Sequence, residues 1–232
     1  MTRRIAALVR HGDYHQLAET PSAHQPFGLN ARGHEQAKRG AELMKRQLAE
    51  NGWVLDAQVV SSTLLRAWQT AELFIDTLST TSSEPIQHRS ESALCERCVG
   101  SAANLTSDQI YRVVESDPRL ETPPADWKSN SHYRLPLEGA ESLMEAGERV
   151  AGCLSRELEA LKESEQPRVR LFVGHGAAFR HAAHRLGVLP FERIAELSMY
   201  HAHPVYLELC ADGQWRHVGG NWKERKREGF TD

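Results

Sequence analysis

Only four cysteines, Cys95, Cys98, Cys153 and Cys210, occur in 232 residues, far below the density of small secreted domains that rely on disulfides. Cys95 and Cys98 form a CxxC, but no second pair accompanies it, so the zinc or redox signal is weak. Long apolar runs are also missing, and none approaches the roughly 20 residues that span a bilayer, so no membrane role is expected. Residues 1–4 lead into the short apolar run 5–9, too brief for the core of a secretory leader, and a cytoplasmic protein is expected. Nor is one sign of charge in large excess: 28 Lys and Arg against 31 Asp and Glu leave a formal charge of −3. A general nucleic-acid binder needs a basic surface to displace counterions, so that class is set aside. A small anion needs only a local positive pocket. Internal repeats are absent as well.

What is present is ordinary globular composition, 40% apolar and 25% charged, at a length that suits one α/β domain over 1–232. Apolar, β-branched runs at 5–9, 57–60 and 169–173 each lead into a polar turn and then a helical pattern, the rhythm of βα units in a mostly parallel sheet. Helices are predicted over 31–50, 64–78 and 177–186, and Ser142 with Glu145 marks a capping-box start for another running to about 162. Residues 205–209 and 215–218 flank Ala211-Asp212-Gly213 and read as a hairpin. Residues 79–140 break the rhythm around one short helical stretch at 107–114. They are read as an insertion or lid over one end of the sheet. The basic run 223–227 is read as a solvated tail.

In an open α/β sheet, ligands bind beyond the carboxyl ends of the strands. Three predicted strands end in residues suited to phosphate: Arg10-His11-Gly12, Ser61-Ser62 with Arg66 beyond, and Gly174-His175-Gly176. Two guanidinium forks match the equatorial oxygens of a phosphoryl group in transfer. Either His11 or His175, with an ordinary pKa of about 6.5, would serve as a neutral nucleophile near pH 7. The pairs His181/His184 and His201/His203 have spacings that bind metals, but no carboxylate or cysteine set converges with them. No metal and no other cofactor is expected.

These segments, with three others, make a resemblance. Arg10-His11-Gly12, the stretch from Leu29 to Ala37 around Gly33 and Gln36, and the segment from Ser61 to Ala71 around Arg66 follow one another in the order seen in the histidine phosphatase superfamily. So do Leu94-Cys95-Glu96-Arg97, Gly139-Ala140-Glu141-Ser142 and Val173-Gly174-His175-Gly176. The chain therefore resembles that superfamily, of phosphoglycerate mutase-like fold, and residues 172–229 also loosely resemble mutase-like Ser/Thr protein phosphatases. The resemblance implies a three-layer α/β/α fold and a metal-independent phosphatase that hydrolyses a phosphomonoester through a phosphohistidine on His11. It implies phosphate contacts from Arg10, Arg66, His11 and His175, with Glu96 as proton donor. Asp13, His15, Gln16 and Arg97 are placed on the substrate wall, with Gln16 or His15 replacing an amide absent at Leu17. The polar pair that mutases carry after the second histidine is Ala177-Ala178 here, and the Tyr and Lys expected beyond Glu96-Arg97 are missing. These losses favour a phosphatase over one rival, a mutase-type isomerase, and the presence of all four pocket residues with Glu96 favours it over the other, a decayed binding protein on the same fold. The substrate is expected to be a small phosphorylated metabolite or a phosphoprotein, and a homodimer is left open.

Overall fold

The computed structural model describes residues 3–21, 24–80, 82 and 84–225. Among the described residues there are eight strands, β1 (Arg4–Arg10), β2 (Val54–Ser61), β3 (Gln87–Ser90), β4 (Arg168–Gly174), β5 (Leu197–Ser198), β6 (Pro204–Leu209), β7 (Trp215–Gly219) and β8 (Lys223–Glu224), and six α-helices. The helices are α1 (Ala31–Asn51), α2 (Leu65–Leu78), α3 (Ser107–Ser116), α4 (Leu143–Glu159), α5 (Gly176–Arg185) and α6 (Phe191–Glu196). The main sheet has the order β3-β2-β4-β1-β6-β7. Its pairings from β3 to β1 are parallel, and those of β6 with β1 and β7 are antiparallel. The sheet is thus mixed, and β5 pairs separately with β8.

The three layers follow from side-chain alternation along β1. Ile5, Ala7 and Val9 pack with Ala37, Ala41, Met44, Ala67, Ala71 and Phe74 of α1 and α2. Ala6 and Leu8 face the other way, onto Val150, Leu154, Phe179 and Ala182 of α4 and α5. All of these are fully buried, and burying each large apolar side chain stabilises by about 1.5–3 kcal/mol. The expected capping box is present at the start of α4, with Ser142 and Glu145 each bonding the other's main chain.

Three differences from the sequence reading have physical causes. β2 begins at Val54, earlier than the expected 57, and so contains Asp56. That buried carboxylate is tolerated because the Arg170 guanidinium donates to its Oδ2 at 2.9 and 2.7 Å while also meeting Glu157. β3, Gln87-His88-Arg89-Ser90, has no apolar residue; as an edge strand it needs only backbone pairing. The segment 79–140 therefore opens with a strand of the main sheet. Its excursion proper leaves at Val99 and returns at Ala140, which form an antiparallel bridge. Between them lies a separate small core of Val99, Ala102, Ile110, Val114, Trp127, Leu135 and Ala140. Among the described residues no helix is long and apolar enough to cross a membrane. Residues 226–229 of the basic tail and of the resembling segment lie outside the described residues.

Candidate active site

β1 and β4 lie side by side, with Arg10 opposite Gly174, so the histidines that follow each strand meet at one end of the sheet. Their rings are 5.0 Å apart. The His11 main chain is anchored by its N–H to the Gly174 carbonyl at 3.0 Å, and the Gly12 N–H donates to the Thr70 hydroxyl at 3.1 Å. Gly12 has no room for a side chain, because a Cβ there would stand 2.5 Å from the Gly33 carbonyl oxygen.

Hydrogen bonding selects the His11 tautomer. Nδ1 lies 2.7 Å from the Gly12 carbonyl, which only accepts, so Nδ1 carries the proton. Nε2 is left with its lone pair, and the Arg66 Nε–H points at it from 3.2 Å. The same guanidinium donates to the Gln25 carbonyl at 2.9 Å and reaches His175 Nδ1 at 3.4 Å. Its carbon sits 4.5 Å above the Tyr14 ring. Arg10 approaches from the other side, donating to the Met199 carbonyl at 3.2 Å, and Gly176 leaves room for its stem, since a Cβ there would meet Arg10 Cδ at 3.2 Å.

Burial, reinforced by Arg66, His175, Arg10 and His201, pushes the His11 imidazole well below the usual histidine range. His175 is lowered likewise by burial and then by Arg66, His24, Arg10 and Arg149. Both are neutral near pH 7, as attack by a nitrogen lone pair requires. His175 Nε2 meets the Ser62 hydroxyl at 2.9 Å, which orients the ring.

Glu96 is buried at the start of α5. Its carboxylate accepts the N–H groups of Ala177 at 3.2 Å, Ala178 at 3.0 Å and Arg97 at 3.0 Å.

The structure brings Arg10, His11, Arg66, His175 and Glu96 to one end of the sheet. Asp13 stands just beyond, its carboxylate accepting the Tyr14 N–H at 3.1 Å. His15 is exposed, and the exposed Gln16 spends its amide on the Thr20 carbonyl at 3.2 Å. Neither therefore supplies the amide missing at Leu17 in this conformation. Arg97 is buried with its guanidinium 5.7 Å from the Trp127 ring centroid. Five neighbours escaped the sequence reading of the site: Tyr14, His24, Gln25, Thr70 and His201. His24 donates to the Glu96 carbonyl at 2.9 Å, and His201 Nδ1 donates to the His11 carbonyl at 2.7 Å. Thr70 was visible within the helix segment of Arg66. No local pattern marks the other four, which tertiary packing delivers.

Ring nitrogens of the histidine pairs have protein partners. His181 bonds Ala177 and Ser131, His184 bonds the Leu189 carbonyl, and His203 bonds the His201 carbonyl. Among the described residues no three His, Cys, Asp or Glu side chains are grouped to hold a metal ion. All four cysteines are free, and Cys95 Sγ instead accepts from the Ser62 hydroxyl at 3.3 Å.

Two arginines and two neutral imidazoles converge at the carboxyl ends of parallel strands on an α/β fold, a charge and geometry that can hold a tetrahedral oxyanion. The sequence model of the histidine phosphatase superfamily (branch 1) matches residues 6–223, and the chain belongs to that family. The resemblance drawn from the motifs is borne out. A Drosophila grimshawi serine/threonine-protein phosphatase, Pgam5, mitochondrial, is 26% identical over 90% of this chain and 60% of its own length. The chain thus spans only about 60% of the Pgam5 relatives it matches. A 2,3-bisphosphoglycerate-dependent phosphoglycerate mutase of Rhizobium meliloti (strain 1021) is 29% identical over 88% of this chain and 90% of that protein. In structure the chain is similar to a mycobacterial glucosyl-3-phosphoglycerate phosphatase, with a TM-score of 0.68 at 22% identity, covering 93% of this chain and 97% of that one. The three-layer fold is shared with it.

Proposed function

We propose that the protein is a metal-independent phosphatase that hydrolyses a phosphomonoester through a phosphohistidine at His11 Nε2. The observation that carries this reading is the His11 ring itself: Nδ1 is tied to the Gly12 carbonyl, and the unprotonated Nε2 accepts from the Arg66 fork in a buried, cationic pocket. In the first step the Nε2–P bond forms and the ester P–O bond breaks, while Arg10, Arg66 and His175 hold the equatorial oxygens. Glu96 gives its proton to the departing alcohol. The resulting carboxylate then takes a proton from water, whose oxygen attacks phosphorus and releases His11 and inorganic phosphate.

Hydrolysis is favoured over mutase chemistry by the apolar Ala177-Ala178 pair, whose side chains cannot bind a second phosphoryl group. The substrate is a small phosphorylated metabolite or a phosphoprotein, consistent with the names carried by the mycobacterial phosphatase and by Pgam5. The segment 97–136 forms much of its wall, with Asp13, His15 and Gln16, and the buried Arg97 guanidinium beside Trp127 supports contact with a second polar group. Four free cysteines fit a reducing compartment, and we assign the protein to the cytoplasm.

The test is rapid-quench labelling with a phosphate-labelled aryl phosphate. The expected result is an acid-labile phosphoenzyme that forms and decays at the rate of inorganic phosphate release. Turnover without that intermediate, or transfer of the label to a monophosphoglycerate in preference to water, would overturn the reading.

A further inference from the structure

Glu96 sits in a short irregular stretch between the 3₁₀ turn Ser92–Leu94 and the turn Gly100–Ala102, where no sheet or long helix fixes the main chain. A proton donor needs a fixed direction, since displacement by about 1 Å can cost on the order of 10²-fold in rate. The side chain is received by the start of α5, but its main chain is gripped by something else. Arg149, on α4, donates to the carbonyls of Ala93 at 2.9 Å and Cys95 at 3.2 Å, just before Glu96. The same guanidinium makes a two-pronged ion pair with Glu141, at 2.8 Å from both Nε and Nη2. Glu141 in turn accepts the Cys98 N–H at 3.1 Å through Oε2, and its own N–H donates to the Cys98 carbonyl at 2.8 Å. The chain is thus held immediately on either side of Glu96-Arg97, at Cys95 and Cys98, by one ion pair.

Both partners are half-buried, and the carboxylate is held below the ordinary range despite burial, chiefly by Arg149 and the Cys98 N–H. This interior pair spends its hydrogen bonds on main-chain groups of the stretch that carries Glu96.

We propose that Glu141 and Arg149 are positioning residues for proton donation: their ion pair clamps the 93–98 main chain so that the Glu96 carboxyl is presented to the leaving oxygen. This rests on the reading of Glu96 as the proton donor. The clamp spends its hydrogen bonds on the 93–98 main chain, so its loss should imitate the loss of the donor more than a loss of phosphate binding.

The experiment compares Arg149→Lys and Glu141→Gln with Glu96→Gln on two substrates, glycerol 2-phosphate, whose alkoxide needs a proton, and p-nitrophenyl phosphate, whose phenolate does not. Phosphorylation is read by rapid mixing before turnover. Glu96→Gln is expected to lose roughly 10²-fold or more on the alkyl substrate and far less on the aryl one. Arg149→Lys keeps the charge but not the fork geometry, and is expected to show the same selectivity with a loss of about 10-fold to 10²-fold. KM for both substrates should stay near wild type. Combining Arg149→Lys with Glu96→Gln should cost no more on the alkyl substrate than Glu96→Gln alone.

Equal loss on both substrates in a variant that retains the wild-type unfolding midpoint, or full additivity with Glu96→Gln, would overturn the clamp. Should Arg149→Lys fail to fold, Glu141→Gln decides by the same comparison, because its amide oxygen still accepts from Cys98. If Glu96→Gln itself shows no leaving-group selectivity, the donor assignment fails, and the clamp falls with it. Selectivity in Glu96→Gln without it in the clamp variants overturns the clamp alone.

Discussion

Around His11, the side chains are fixed by the ends of strands that run through the middle of the sheet, and their hydrogen bonds reach residues scattered from Gly12 to Met199. Across 99–140 the chain instead closes on itself, with a single bridge at its base, a small core of its own and few ties to the rest. Two of those ties touch the site's surroundings: the Ser107 N–H donates to the Glu19 carbonyl at 3.1 Å, and the Ser131 hydroxyl meets His181 Nε2 at 3.0 Å. The contrast teaches a division of labour. On the proposed function, the groups that would meet the phosphoryl unit are carried by the central strands, whereas those that would meet the remainder of the substrate ride on a segment with its own small core.

The sharpest way to break this comparison is to delete the nucleophile. A His11→Ala variant should still fold, yet lose on the order of 10⁴-fold or more in kcat/KM. Mass analysis after acid-free quenching should find no phosphoenzyme. Phosphoenzyme in this variant would move the nucleophile elsewhere, with His175 next in line.

Acid should act on the pocket before the excursion. His11 and His175 lie well below 6.5 in the folded protein, and His181 and His201 are lowered to about 4, in each case with burial as the leading cause. A depressed folded value means that the unfolded chain binds more protons throughout the interval between the two values. Stability is therefore complete above about 6.5 and is lost as pH falls from there through about 4, by up to roughly 1.4 kcal/mol per pH unit for each imidazole. Thermal unfolding across that range should show it, and inorganic phosphate should oppose it, by about 2.7 kcal/mol at 100 times its Kd. A midpoint flat from neutrality to pH ~4 would contradict the buried neutral cluster.

A smaller effect is expected from the excursion. Trp127→Ala empties the centre of its small core, where such truncations cost about 3–5 kcal/mol locally, and also removes the ring beside Arg97. Selectivity among bulky phosphomonoesters should change through KM, while p-nitrophenyl phosphate turnover stays within a few-fold. A collapse of turnover on both substrates would mean that the two regions are not independent. The smallest effect should come from a chelator: EDTA should leave turnover unchanged, and recovery of lost activity by a divalent ion would revive the histidine pairs as ligands.

Much of the phosphate-handling set was legible because each member sits on a local pattern. Arg10-His11 and His175 end apolar strands, and Arg66 opens an amphipathic helix, so linear spacing reports their place. The capping box at Ser142 and the turn at Gly213 are equally local, each decided within four residues. β3 was not legible, since an edge strand of Gln, His, Arg and Ser needs no apolar face, and Asp56 hid the start of β2 until its partner Arg170 was known.

By itself, then, the amino-acid order determined the βα rhythm, the six motifs and the residue types that meet a phosphoryl group, because propensity, periodicity and capping act over a few neighbours. Tertiary structure alone decided the remainder. It set the His11 tautomer, through the Gly12 carbonyl and the Arg66 fork, and brought Gln25, His24 and His201 against the pocket. It left Gln16 on its own loop and put the Glu96 carboxylate on the backbone of α5. Those outcomes depend on contacts between residues up to 190 positions apart, whose closure is rewarded only when the whole sheet forms and which no local pattern encodes.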